Sequence, residues 1–181
     1  IFLREANIFV ENVIKSQSVK DFDFYVTHNA LEPFNPELNI KLLGKNAKAI
    51  IVTRDPRDIF INSATQDAFF NKSLKDNIRI TGAFDVKTFV ARQKTYLSNI
   101  NPNSSKDILY LKFEDIVMEY EKSLDKIIRF IGLSNNKHNN KFKYFKPEES
   151  KKNIHMWKQN KFKNFKNEIQ YIKNSLNLHD D

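Results

Sequence analysis

Apolar positions recur at helical spacing in several windows of the chain and cluster into short blocks in others. Phe2, Leu3, Ala6, Phe9, Val10 and Val13 fall on one face of a helix over residues 2–14. Asp23-Phe-Tyr-Val-Thr27 predicts a short strand. Pro33 and Pro36 make Leu31–Leu43 a loop that ends in a short helix. Lys48–Thr53, with Ala-Ile-Ile-Val at its centre, predicts a strand apolar on both faces, the pattern of a covered parallel sheet. Asp55-Pro56 then starts a helix that runs to about Gln66: aspartate caps, and proline suits the first helical position. Residues 67–84 are polar and irregular. A helix over 85–100 follows, then a strand over 107–112. Next comes an amphipathic helix over 116–131 that turns Ile116, Tyr120, Leu124, Ile127, Ile128 and Ile131 inward and stops at Gly132. Residues 133–166 are mostly loop, and a short helix over 167–176 closes the chain.

Strands alternate with helices, so the expected architecture is α/β, a parallel β-sheet flanked by helices in one domain over residues 1–181. Ligands in such sheets bind beyond the carboxyl ends of the strands. Thr27-His28, Thr53-Arg54 and Lys112-Phe113-Glu114 should share that edge.

Charge sharpens the picture. Between Lys137 and Lys166 stand ten lysines and two acids, which leaves +8, the formal net charge of the whole chain. The partner suggested is anionic: a phosphate, a sulfate, nucleic acid or a membrane surface. A lysine-rich composition without function gives the same charge. The chain has no cysteine, so disulfides and thiolate metal sites are excluded. The four histidines show no metal-ligand spacing, and G-x-S-x-G and G-x-G-x-x-G are absent. The longest aliphatic stretch, Ala49–Val52, is too short to span a bilayer, and no signal peptide is visible, so a soluble, cytoplasmic protein is expected.

The segment Ile50-Ile-Val-Thr-Arg-Asp-Pro-Arg-Asp-Ile-Phe-Ile-Asn-Ser63 carries the most chemistry. Arg54 ends a strand where a helix begins, so a guanidinium fork and the positive helix end meet an anion together. Asn62 and Ser63, two turns on, can add hydrogen bonds. The bland alternative is an Arg54–Asp58 pair that merely ties strand to helix.

This segment resembles the 3′-phosphate motif of sulfotransferases that use 3′-phosphoadenosine 5′-phosphosulfate (PAPS). That motif is an apolar strand, Arg-Asn/Asp-Pro-x-Asp, and a serine eight residues after the arginine. Arg54, Pro56 and Asp58 match; the serine position falls on Asn62, with Ser63 next. Tyr25-Val-Thr-His28 resembles the strand ending in Lys-Thr-His, whose histidine is the catalytic base; Val26 replaces the lysine. Ile108–Ile116 resembles the strand ending in Tyr-Glu-Asp/Glu, with Phe113 for the tyrosine near the nucleotide base, and Phe130–Leu133 matches the Phe-Ile-Gly-Leu that follows. Ser150–Lys158 resembles Arg-Lys-Gly-x-x-Gly-x-Trp-Lys, which closes over the 3′-phosphate. Lys151, Trp157 and Lys158 match; Ser150, Lys152 and His155 replace the arginine and the two glycines.

The resemblance implies a P-loop NTPase-like sulfotransferase fold and transfer of a sulfuryl group from PAPS to an acceptor hydroxyl or amine. His28 would be the base, and Arg54, Asn62 or Ser63, Lys151 and Lys152 would hold the 3′-phosphate. Phe113 and Trp157 would shape the nucleotide pocket, and no metal is required. The family's first strand and phosphosulfate loop have no counterpart in the sequence, so a chain truncated at its N-terminus is expected, with donor binding and activity below those of a complete enzyme. The alternatives are a degenerate member of this fold and a basic module for single-stranded nucleic acid or acidic polysaccharide. In the latter, Phe142, Tyr144, Phe145, Trp157, Phe162 and Phe165 would interleave with the lysines.

Overall fold

A computed structural model describes residues 2–16, 26, 35–44, 46–65, 85–101, 105–133, 142–143 and 145–180. The predicted strand at 23–27 lies outside them except for Val26, which is exposed and in no regular element. The expectation for residues 67–84 also lies outside them.

The elements run in the expected order: α1 (Phe2–Ser16), α2 (Pro36–Leu43), β1 (Ala49–Thr53), α3 (Pro56–Thr65), α4 (Val86–Ser98) and β2 (Ile108–Lys112). They continue with α5 (Phe113–Met118), α6 (Tyr120–Ile131), the one-turn α7 (Pro147–Ser150), and α8 (Lys166–Leu176). Three 3₁₀ turns join α7 to α8: Lys151–Asn153, Met156–Lys158 and Asn160–Phe165. β1 and β2 form a parallel two-stranded sheet with helices between them in sequence, the α/β arrangement expected. Two details differ. Helix begins at Phe113 rather than 116, and a bend at Glu119 (φ −124°, ψ 51°) divides α5 from α6. The residues fully buried there are Val117 and Ser123; the six apolar positions predicted to face inward are half-buried.

The chain divides into two compact units, residues 1–51 with 99–110 and residues 52–98 with 111–181, the division passing through both strands. In the first unit α1 packs on α2, and the Asn7 amide donates to the carbonyls of Lys41 and Leu42, both at 2.8 Å. Asn35 caps α2 by accepting from the Leu38 N–H. The Ala49 N–H donates to the Asp107 carbonyl, where the strands begin to pair. β1 is not covered on both faces as its sequence suggests: Ile50 is 42% and Val52 49% exposed, because the sheet has only two strands among the described residues.

The second unit holds a hydrophobic core of Phe60, Phe89, Val90 and Ile172, drawn from α3, α4 and α8. Ile59, Val86, Phe165, Leu176 and Leu178 pack around it. Phe60 meets Phe89 and Phe165 edge-on, with ring centroids 5.3 and 6.2 Å away. This core fixes α3 against the C-terminal third of the chain, which places the start of α3 beside the 3₁₀ turns.

Candidate functional site

The site starts at the junction of β1 and α3. Asp55 caps α3: its Oδ1 accepts the Arg57 N–H at 2.8 Å, and its carbonyl accepts the Ile59 N–H. The Asp55 N–H itself donates to Glu114 Oε1 at 3.0 Å. Two N–H groups at this junction are therefore already satisfied by carboxylates, and the open helix end expected from the sequence is narrower than it looked.

Arg54 precedes the cap. Its Nη2 donates to the Asn153 carbonyl at 2.6 Å and to Met156 Sδ at 3.2 Å, and its guanidinium carbon lies 5.0 Å from the Phe113 ring centroid. Nε is buried with no partner among the described residues. Asp58 acts on Arg54 through charge, not through a hydrogen bond, so the simple strand-to-helix pair is not what forms. Burial lowers the Arg54 pKa, while Asp58, Glu114 and Asp55 offset part of that shift.

Asp58 is fully buried. Its Oδ1 accepts the Trp157 N–H at 3.2 Å, and Oδ2 has no partner among the described residues. Burial pushes its pKa up to about 6, against the hydrogen bond from Trp157 and the charge of Arg54. Arg57 is 4% exposed, and its guanidinium carbon sits 3.7 Å from the Trp157 ring centroid. Burial alone would lower its pKa; hydrogen bonds and charge from Asp55 and Asp180 raise it instead.

Arg54, Arg57 and Asp58, at helical spacings of three and four, thus grip residues 153–157. We call Lys151–Lys158 the strap. It follows α7 directly, and its two 3₁₀ turns are joined at His155, whose backbone is left-handed (φ 52°, ψ 39°). That conformation favours glycine, and His155 stands where the resembling motif has one. The strap keeps the glycine geometry without the glycine.

The remaining expected residues fall as follows. Lys151 and Lys152 are exposed on the strap next to Asn153, and Lys151 pairs with Glu148 at 2.8 Å. Phe113 is half-buried against Arg54. Trp157 is half-buried, and its Nε1 has no partner among the described residues. Asn62 is half-buried on α3. Ser63 turns inward, and its hydroxyl donates to the Ile59 carbonyl at 2.9 Å. His28 lies outside the described residues. The structure therefore brings Arg54, Phe113, Trp157 and the backbone of the lysine pair into one neighbourhood.

Glu114 stands at the strand edge where the sequence placed it, but sequence reasoning missed Arg57 and Asp180 as parts of this assembly. Arg57 and Asp180 are 123 residues apart, and no local pattern announces their pairing. Among the described residues no helix is long and apolar enough to cross a membrane.

No curated protein and no solved structure gives a significant match. The family described as "Sulfotransferase domain" matches residues 8–180, nearly the whole chain and every element of the site. The chain belongs to the sulfotransferase domain family.

Proposed function

We propose that this sulfotransferase domain takes its sulfuryl group from PAPS and passes it to an acceptor hydroxyl or amine. One observation supports the reading above others: the Arg54 guanidinium is hydrogen-bonded to the strap at Asn153, the residue after Lys151-Lys152. A guanidinium fork bonded to the backbone that carries two exposed lysines suits a phosphate dianion. In this reading Arg54, Lys151 and Lys152 hold the 3′-phosphate and Asn62 adds an amide donor. Phe113 and Trp157 offer ring faces to the nucleotide. Acceptor attack forms one bond to sulfur as the bond from sulfur to the 5′-phosphate oxygen breaks. His28 takes the acceptor proton on an imidazole nitrogen. The residues around Arg54 act by positioning and by charge.

Calorimetry with adenosine 3′,5′-bisphosphate tests the site. Arg54→Ala should weaken binding about 10- to 100-fold, the loss of one charge-assisted contact. Equal affinity in parent and variant would remove Arg54 from the site. Sulfuryl transfer by a His28→Ala variant at the parent rate would remove the base.

A further inference from the structure

Arg57 differs from Arg54 in having four of its five N–H groups already engaged. Its Nε and Nη2 donate to Asp55 at 2.7–3.1 Å, Nη1 donates to Asp180 Oδ1 at 2.5 Å, and Nη2 also donates to the His179 carbonyl at 2.9 Å. With most of its edge engaged and its plane fixed, the guanidinium presents a face to Trp157, whose ring lies against it at 3.7 Å. A buried arginine is costly unless fully paired, so this arrangement demands all of its partners.

The partners come from the end of the chain. After α8, Asn177 adopts the left-handed conformation and the Leu178 N–H returns to the Lys173 carbonyl. Asp180 is then held by Lys173 as well as Arg57. A line of direct contacts runs from the tail at His179–Asp180 through Arg57 to Trp157, and along the strap to Asn153 and Arg54.

We propose that Arg57 is a positioning residue: clamped by Asp55 and by the His179–Asp180 tail, it seats Trp157 and so sets the strap, with its lysine pair, over the 3′-phosphate. The claim rests on the nucleotide reading above. It adds that residues near the C-terminus govern 3′-phosphate recognition without touching the nucleotide.

Trp157 is the only tryptophan, so its emission reports on the seat without any ligand. The test compares the parent chain with Arg57→Lys and Asp180→Ala, each shown by circular dichroism to remain folded. Tryptophan emission and acrylamide quenching are measured first. Affinities for adenosine 3′,5′-bisphosphate and adenosine 5′-monophosphate follow. The expected result is red-shifted, more readily quenched Trp157 in both variants. Bisphosphate binding should weaken about 10-fold while monophosphate binding stays within about twofold. Unchanged emission overturns the positioning role and leaves the nucleotide reading standing. Equal weakening for both nucleotides also overturns it, since a merely structural loss would not single out the 3′-phosphate. A parent chain that binds neither nucleotide removes the nucleotide reading itself, and the positioning claim with it.

Discussion

Asp58 and His155 show two kinds of cost stored at single residues. The folded chain holds the Asp58 proton up to about pH 6, whereas the ordinary carboxylate value is 3.8. Its contribution to folding is complete below pH 3.8 and is lost as pH rises through 6, because the buried carboxyl must then ionise. Asp58→Asn cannot ionise and escapes that loss. Relative to the parent, its stability should climb by about 2 kcal/mol between pH 4 and pH 6.5, read from urea titrations at both pH values. A difference flat with pH would mean the carboxyl is charged throughout. His155 instead carries backbone strain. Its left-handed conformation costs a side-chain-bearing residue about 1–2 kcal/mol, part of which glycine returns as chain entropy on unfolding. His155→Gly should therefore raise stability by about 0.5–1 kcal/mol in thermal melts, and a loss would mean the imidazole contributes more than its backbone costs.

Helix termini set the geometry at the scale of elements. Arg54 just before α3, and Arg57 and Asp58 in its first turn, meet the strap together because Asp55 and Pro56 start the helix at a defined residue. α6 ends as sharply. Gly132 is left-handed (φ 80°), and its N–H and that of Leu133 close back on the Ile128 carbonyl. A Cβ at Gly132 would meet nothing within 4 Å, so the cost of Gly132→Ala is conformational alone. The expected loss is about 1 kcal/mol, visible as a lower Tm with unchanged nucleotide affinity. A stability equal to the parent's would mean the helix can end without the left-handed residue.

Over the whole molecule the excess positive charge is confined to residues 137–166, which contain the strap. The described part of the segment is not idle surface: Lys146 and Lys151 pair with Glu149 and Glu148, and Lys158 and Lys161 lie over the rings of Trp157 and Phe162. Salt separates the specific reading from the general one. Raising salt from 50 to 200 mM should weaken adenosine 3′,5′-bisphosphate by less than about tenfold, since few charges meet the ligand. A nucleic acid neutralised by six to ten of these lysines would lose about 10³-fold or more over the same range. The steeper dependence, with no need for Arg54, would favour the basic-module reading.

What the sequence determined alone is whatever short-range rules govern. Asp55-Pro56 starts a helix and Gly132 ends one because capping and left-handed turns depend on a few neighbouring residues. The alternation of apolar strands with amphipathic helices carried the α/β class, and Arg54 at a strand end marked the junction of β1 and α3. The tertiary structure decided the rest. It buried Asp58, spent the Ser63 hydroxyl on Ile59, left Val52 exposed on a strand that reads as fully covered, and joined Arg57 to Asp180. Those outcomes depend on which distant segments share a contact, and pairings across a hundred residues leave no period in the chain. The strap shows both at once: its lysines and tryptophan are legible as a motif, but its seat on Arg54, Arg57 and Asp58 exists only because the core of α3, α4 and α8 brings the two segments together.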